Sequence, residues 1–354
     1  MLYSGVSWHT GGYHVEVLDG DGRRAMPPAE FTAGRAGELI AYLRAVGERM
    51  VTVVESTNGI LDGRLMAAGL EVYRADPHLL PERPLFGSVS ATDLAHTARR
   101  NLDRLTRLER RRGTQTGREA ELDAWIVSSS AEVDTAVMEG RCLSHGERDR
   151  PTVALTFDDG PLPPYTGQIL DILERYGVPA TFFCVGMHAR AYPEELVRMR
   201  EQGHALGNHT WSHPFLPELT RPQLTEQLDR AGEAIAGASG GGVPSLFRPP
   251  YGARTPQVME WLAAAGPRIV LWDVVPDDWS MPGAESIAAA VLDQTRPGSV
   301  VLLHDGGGDR SQTVAALPPV IEGLLTRGFR FVPVHELLPA SRRQAEPGLT
   351  AAAS

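Results

Sequence analysis

The amino-acid sequence predicts an α/β protein, with a repeating strand–helix unit over residues 151–338 and a smaller α/β unit before it over residues 1–125. Three observations carry this. Seven short apolar runs recur after Pro151 with helical segments between most of them, and strands that alternate with helices pair in parallel. The first 80 residues also alternate between strand and helix periodicity, in a separate block. The chain has 354 residues, 42% hydrophobic and 22% charged, which is ordinary for globular proteins and enough for two domains at about 150 residues each.

Within the first unit, Val15–Leu18 follows a Gly-Gly turn and is closed by Asp19-Gly-Asp-Gly22, the pattern of a hairpin arm. Residues 36–49 have helical spacing, with Leu39, Ile40, Leu43 and Val46 on one face. Val51–Glu55 is a β-branched strand, a helix is expected near 61–68, and Leu70–Arg74 is a further strand. From Ala91 to Leu122 a polar, Arg-rich helix is expected, with Arg100, Arg104, Arg107 and Arg111 on one face and Leu102, Leu105 and Leu108 beside it. Asp103, Glu109 and Glu119 are interspersed, so a solvated amphipathic helix is favoured over an arm that binds polyanions or partners. Residues 126–150 lack periodicity and read as a linker, and residues 339–354 read as a disordered tail.

In the second unit, strands are expected at 152–156, 180–185, 204–207, 245–247, 268–272, 299–303 and 329–332. Helices are expected at 166–176, 193–202, 222–236, 256–265, 284–294 and 313–326. An open parallel sheet and a barrel both fit this order, and in both the reactive residues belong at the carboxyl ends of strands.

Several functions are disfavoured at once. All 34 basic residues are arginine, so a Schiff-base lysine and a P-loop lysine are absent. A net charge of −10 argues against a general nucleic-acid binder. No apolar run approaches about 18 residues, so no membrane span is expected. The first twenty residues have neither a basic nor an apolar stretch, so no signal peptide is expected and a cytoplasmic location is the reading. Cys142 and Cys184 cannot form a disulfide framework.

Five short motifs follow expected strands. Thr156-Phe-Asp-Asp-Gly-Pro161 places two adjacent carboxylates at a strand end, one available to a metal and the other to a proton; a capping or turn pair is the plainer alternative. His209-Thr-Trp-Ser-His213 spaces two imidazoles for one face of a helical turn, which suits a single ion and, with one Asp, makes a His₂-carboxylate set. Arg248-Pro-Pro-Tyr-Gly252 is a stiff loop whose arginine can hold a carboxylate. Trp272-Asp-Val-Val-Pro-Asp-Asp-Trp279 sets acids among aromatic surfaces, and Leu302-Leu-His-Asp305 leaves His304 at a strand end. Each motif alone also fits a rigid turn, a core tryptophan or a satisfied histidine.

Together, in this order and spacing, the region from about 152 to 338 resembles the polysaccharide deacetylase family, the NodB-homology domain of family 4 carbohydrate esterases. Gly177-Val-Pro-Ala-Thr-Phe-Phe183, Gly203-His-Ala-Leu-Gly-Asn-His209 and Gly328-Phe-Arg-Phe331 match its framework. The resemblance implies a distorted (β/α)7 barrel. It implies that Asp159, His209 and His213 hold a divalent metal, usually zinc, with cobalt or manganese as alternatives. Asp158 becomes the general base and Arg248 its orienting partner. His304 becomes the general acid tuned by Asp278, Tyr251 lends a backbone N–H to the oxyanion, and Trp279 and Leu302 shape the acetyl pocket. One departure is Val275, where many members carry an acid, so substrate contacts there are expected to differ.

The activity this implies is hydrolysis of the acetamide of an N-acetylated amino sugar to acetate and a free amine. With no signal peptide expected, an intracellular saccharide, a sugar-lipid precursor or a glycosylated natural product is the expected substrate rather than chitin or peptidoglycan outside the cell. The expected partners are that sugar or a small-molecule substrate and, at most, a second copy in a homodimer. Amide or cyclic-imide hydrolysis of a non-sugar compound is the alternative enzyme, and a binding protein built on the first unit is the alternative from another class. Gly5-Val-Ser-Trp8, the hairpin and Val51–Gly59 faintly resemble a ribonuclease-H-like transposase domain. Ser7 stands where that family carries an acid, although Glu55 and Asp93 stand where others might be sought, so a remnant, lid or dimerisation unit is expected rather than a nuclease.

Overall fold

Strand β4 (Met50–Glu55) is buried along its length, and its alternating side chains serve two different layers. Val51 and Val53 meet Leu94 and Ala98 of helix α3 (Ala91–Asn101). Val54, on the other face, joins Leu39 and Leu43 of α1 (Ala36–Arg44) and Leu61 and Leu65 of α2 (Gly59–Ala67). The sheet these helices sandwich is completed by β1 (Leu2–His9), β2 (Gly12–Leu18), β3 (Ala29–Thr32), β5 (Glu71–Ala75) and β6 (Thr106–Arg107), in the order β3-β2-β1-β4-β5-β6. β1 and β2 form an antiparallel hairpin, while β4 runs parallel to both β1 and β5. These features come from a computed structural model that describes residues 1–55, 59–108 and 142–337.

The expected Arg-rich helix is corrected. α3 ends at Asn101, Leu102–Arg104 is a single 3₁₀ turn, and Thr106–Arg107 pairs antiparallel with β5. The leucines explain the break. Leu105 belongs to the cluster beneath α3 and Leu108 to the cluster on the opposite face of the sheet, and a straight helix cannot reach both. Arg100, Arg104 and Arg107 therefore share no helix face, while Arg111 and the remainder of that expected helix lie outside the described residues.

The second sheet has all its strands parallel. It contains β7 (Cys142–Leu143), β8 (Thr152–Asp158), β9 (Thr181–Cys184), β10 (Ala205–Asn208), β11 (Leu246–Phe247), β12 (Arg268–Val270), β13 (Ser299–His304) and β14 (Arg330–Phe331). The order is β13-β8-β9-β10-β11-β12-β7, with β14 beside β8. A parallel bridge from Val274 to Val301 brings the two ends together, so the sheet curls into the distorted barrel. Helices α4 (Tyr165–Tyr176), α5 (Gly186–Ala191), α6 (Pro193–Glu201), α7 (Arg221–Ser239), α8 (Pro256–Ala265), α9 (Ala284–Gln294) and α10 (Ser311–Thr326) connect the strands. β8 is buried along its whole length, Asp158 included, as expected of a strand covered on both faces.

A second correction concerns the expected linker. Cys142 and Leu143 form β7, a two-residue segment too short to show any periodicity, and pair with β12. Residues 126–141 and the tail at 339–354 lie outside the described residues. The two units also share a core: Val185, Met187 and Trp211 of the barrel belong to the same apolar cluster as Trp8, Leu39 and Leu61. Among the described residues, no helix is long and apolar enough to cross a membrane.

Candidate active site

Each motif residue expected to react sits at the carboxyl end of a barrel strand. Asp158 ends β8, and Asp159 follows with φ of 74°, a left-handed conformation that turns the second carboxylate away from the first. Two environments result. Arg248, wholly buried, donates from Nη1 to Asp158 Oδ1 at 2.7 Å and to Thr156 Oγ1 at 2.8 Å. Its Nε and Nη2 donate to the carbonyls of Val270 and Leu271, both at 3.1 Å, and its guanidinium lies over the Phe183 ring at 4.2 Å. Asp159 instead faces His209 Nε2 at 3.5 Å and His213 Nε2 at 3.2 Å.

These three residues are nearly buried, and their donor atoms lie within 4.8 Å of one another. His209 Nδ1–H donates to the Arg248 carbonyl at 2.7 Å, which leaves the Nε2 lone pair aimed at the two carboxylates. Burial pushes the His213 imidazole pKa down, against the attraction of Asp159. Burial alone would raise Asp159, but His213, His209 and His304 outweigh it and hold the carboxyl well below its ordinary range. Asp159 Oδ1 is buried without a hydrogen-bond partner. An orphaned carboxylate oxygen facing two imidazoles is the donor set a divalent cation would complete, so these residues fit one.

His304 ends β13 on the other side of Asp158. Its Nδ1–H donates to Asp278 Oδ1 at 2.7 Å, and its backbone N–H donates to Oδ2 at 2.9 Å. Burial lowers the His304 pKa, yet the Asp278 charge and hydrogen bond more than compensate, and the net shift is upward. Asp278 is held low despite burial by His304, with help from Arg310 and Thr313. Leu302 lies two residues before His304 on the same strand face, buried, whereas Tyr251 and Trp279 are 46% and 36% exposed at the rim.

One expectation about this geometry is wrong in its reason. His209 and His213 do not share a helical turn; they lie in a loop in which Thr210 and His213 have positive φ, and the rings still converge to 4.8 Å. Gln227, from α7, shapes this loop by accepting from the N–H groups of Trp211 and Ser212. Left-handed backbone at Asp159, His213 and Tyr251 costs of order 1–3 kcal/mol per residue and gathers where a site has to be held.

Comparison with known proteins covers the same region. Residues 145–270 match the polysaccharide deacetylase family. A chitooligosaccharide deacetylase of Sinorhizobium fredii is 43% identical over 189 residues, spanning 51% of this chain and 88% of that protein. The chain belongs to the polysaccharide deacetylase family. A peptidoglycan-N-acetylglucosamine deacetylase of Bacillus cereus is 41% identical over 52% of this chain and 87% of its own length. Among solved structures, a peptidoglycan N-acetylglucosamine deacetylase in complex with 4-naphthalen-1-yl-N-oxidanyl-benzamide superposes with a TM-score of 0.55 at 34% identity, covering 58% of this chain and 95% of that one. The protein is therefore a deacetylase, a hydrolase acting on carbon–nitrogen bonds.

Other residues of this deacetylase support the site without having been singled out by sequence. Thr313 on α10 donates to Asp278 Oδ2 at 2.8 Å, and His188 Nδ1–H donates to the Asp159 carbonyl at 2.8 Å. Arg310, 3% exposed, donates to the Gly306 carbonyl at 2.6 Å and secures the loop after His304. Thr156 had a local signal, since it lies two residues before Asp158 on the same strand face. Thr313 and His188 had none. Glu55, weighed as a nuclease acid, is buried in an ion pair with Arg83 at 3.3 Å and accepts the Val89 N–H at 2.9 Å. Asp93 accepts from Ser90 at the N-terminus of α3. Among the described residues, Asp159, His209 and His213 are the trio placed to hold an ion.

Proposed function

We propose that this deacetylase removes the acetyl group from the nitrogen of an N-acetylated amino sugar in a metal-dependent reaction. One observation carries the reading: two adjacent carboxylates are divided between an arginine clamp and a pair of imidazoles, with a carboxylate-held histidine opposite them. Asp159, His209 and His213 would hold the ion, with zinc as the proposed species and cobalt or manganese as substitutes. Such an ion supplies Lewis acidity that acidifies water and polarises the amide carbonyl.

The remaining chemistry belongs to the chain. Asp158, fixed through Oδ1 by Arg248, accepts the proton of the attacking water at Oδ2. The Tyr251 backbone N–H donates to the oxyanion that forms as water adds to the carbonyl carbon. His304 commits Nδ1–H to Asp278, so Nε2–H faces the leaving nitrogen and protonates it as the carbon–nitrogen bond breaks. Water thus delivers hydroxide to carbon and a proton to Asp158, and the products are acetate and a free amine. Leu302 and Trp279 border the space for the acetyl methyl, and no covalent enzyme intermediate is required.

The relatives support the sugar substrate: they are named for chitooligosaccharide and for peptidoglycan N-acetylglucosamine. The test is acetate release, with amine counted in parallel, from N-acetylglucosamine oligomers, a simple N-alkylacetamide and a cyclic imide. The reading expects one amine per acetate from the sugars. Turnover of the imide or the alkylacetamide at a higher kcat/KM than any sugar would replace it with the non-sugar amidase.

A further inference from the structure

The N-terminal unit does not stand beside the barrel; its helix α2 crosses the mouth of the active site. A Cβ placed on Gly59 would lie 2.3 Å from the His213 carbonyl oxygen, 2.3 Å from the Tyr251 hydroxyl and 3.1 Å from His213 Nδ1. One turn later, a Cβ on Gly63 would lie 2.1 Å from the Gly307 carbonyl oxygen. Gly307 in turn rests on Asp159, since a Cβ there would lie 2.4 Å from Oδ2. Backbone of α2 therefore contacts the His213–Tyr251 side of the mouth and the loop after His304, passing beside the carboxylate of Asp159. Only glycine at positions 59 and 63 permits this approach without moving the helix.

This helix is fixed in place. Arg83 joins Glu55 of the N-terminal unit, at 3.3 Å, to Glu218 of the barrel, at 3.5 Å, and also donates to the Glu218 carbonyl at 3.1 Å. The three side chains are 7%, 0% and 13% exposed, so the triad is shielded from salt. Phe86 stands edge-on to Trp8 at 5.1 Å and to Trp211 at 5.6 Å, and Trp211 lies between the two metal-site histidines in sequence. Arg190 donates to the Thr10 carbonyl, Tyr192 to that of Gly34 and Gln223 to that of Pro84. Glu55, paired with Arg83, is committed to holding the two units together.

We propose that the N-terminal unit is a fixed wall of the active site, in which α2 closes one end of the saccharide cleft and restricts the enzyme to the terminal sugar of its substrate. The inference rests on the deacetylase reading above. A sugar inside a chain has neighbours on two sides, and both need room beyond the rim. A helix about 10 Å across with its side chains occupies that room on one side. Trp279, 36% exposed at the rim, offers a ring face that suits stacking on the remaining sugars.

The experiment uses the full chain and a β-1,4-linked pentamer of N-acetylglucosamine, with mass-spectrometric sequencing of the products. The wild type is expected to free the amine at one end, at least 100-fold faster than at any interior position. Gly63→Leu lifts α2 from the Gly307 loop, and Glu218→Gln loosens the triad. Either variant is expected to raise the ratio of interior to terminal deacetylation at least tenfold while acetate release from the dimer continues. Interior amines from the wild type at rates comparable to the terminal one would overturn the wall. So would an unchanged ratio in both variants with thermal unfolding showing them folded. Absence of acetate from dimer and pentamer alike would instead defeat the deacetylase reading.

Discussion

Arg248→Lys isolates what the guanidinium fork does, since the charge stays and the geometry goes. Arg248 is wholly buried and reaches four acceptors from three nitrogens. A lysine nitrogen placed where Nη1 lies keeps Asp158 and Thr156, but it cannot also reach the carbonyls of Val270 and Leu271. Leaving two buried carbonyls short of a partner costs about 1–3 kcal/mol each, or roughly 2–6 kcal/mol together. At about 2–4 °C per kcal/mol for a unit of this size, Tm falls by roughly 4–24 °C. Arg248→Met is worse, because removing one partner of a buried ion pair costs about 3–5 kcal/mol before the carbonyls are considered. The catalytic effect follows from the same loss: a base misplaced by about 1 Å costs on the order of 100-fold in kcat. Calorimetry at neutral pH and initial-rate acetate release measure the two effects. A lysine variant with wild-type Tm and wild-type kcat would refute the claim that the fork holds Asp158.

Three other outcomes are expected. Asp278→Asn removes the charge that raises His304, so the alkaline limb of the kcat/KM profile moves to lower pH and kcat falls by about 10²–10⁴; an unmoved limb would mean that Asp278 does not set the acid. Because the folded-state pKa of His304 is raised, the stability from this pair is complete below pH ~6.5 and is lost as pH rises through the folded value. Wild-type Tm should therefore fall more than that of Asp278→Asn on going from pH 6 to 9. Zinc at about 100 times its Kd should stabilise the wild type by about 2.7 kcal/mol, and His213→Ala should abolish most of that increment in a thermal melt.

The legible part of this protein is the part written in local pattern. β8 shows as a mostly apolar run ending in Asp158-Asp159, and the helices behind it show as amphipathic periodicity, so the barrel and the position of the motif residues at strand ends follow from sequence. The His209–His213 spacing predicts a shared helical turn, yet the two lie in a loop, because nothing in a pair of histidines reveals that Thr210 and His213 take positive φ. Leu105 and Leu108 look like one helical face until the sheet is present to claim them from opposite sides. β7 is too short to carry a period, and Thr313 and His188 reach the site only through tertiary packing. The meeting of Gly59 and Gly63 with the active-site loops is likewise a contact across more than 150 residues of chain, which no local signal could announce.

Acetate release by the wild type and by Asp158→Asn, measured on N-acetylglucosamine oligomers with zinc added, tests the central claim most directly. The substitution keeps shape and removes the base while leaving Asp159, His209 and His213 in place. Equimolar acetate and amine are expected from the wild type, with unchanged zinc-induced stabilisation in the variant and a loss of at least 100-fold in its kcat. Full activity in Asp158→Asn, or no acetate from the zinc-loaded wild type on any oligomer, would contradict that claim.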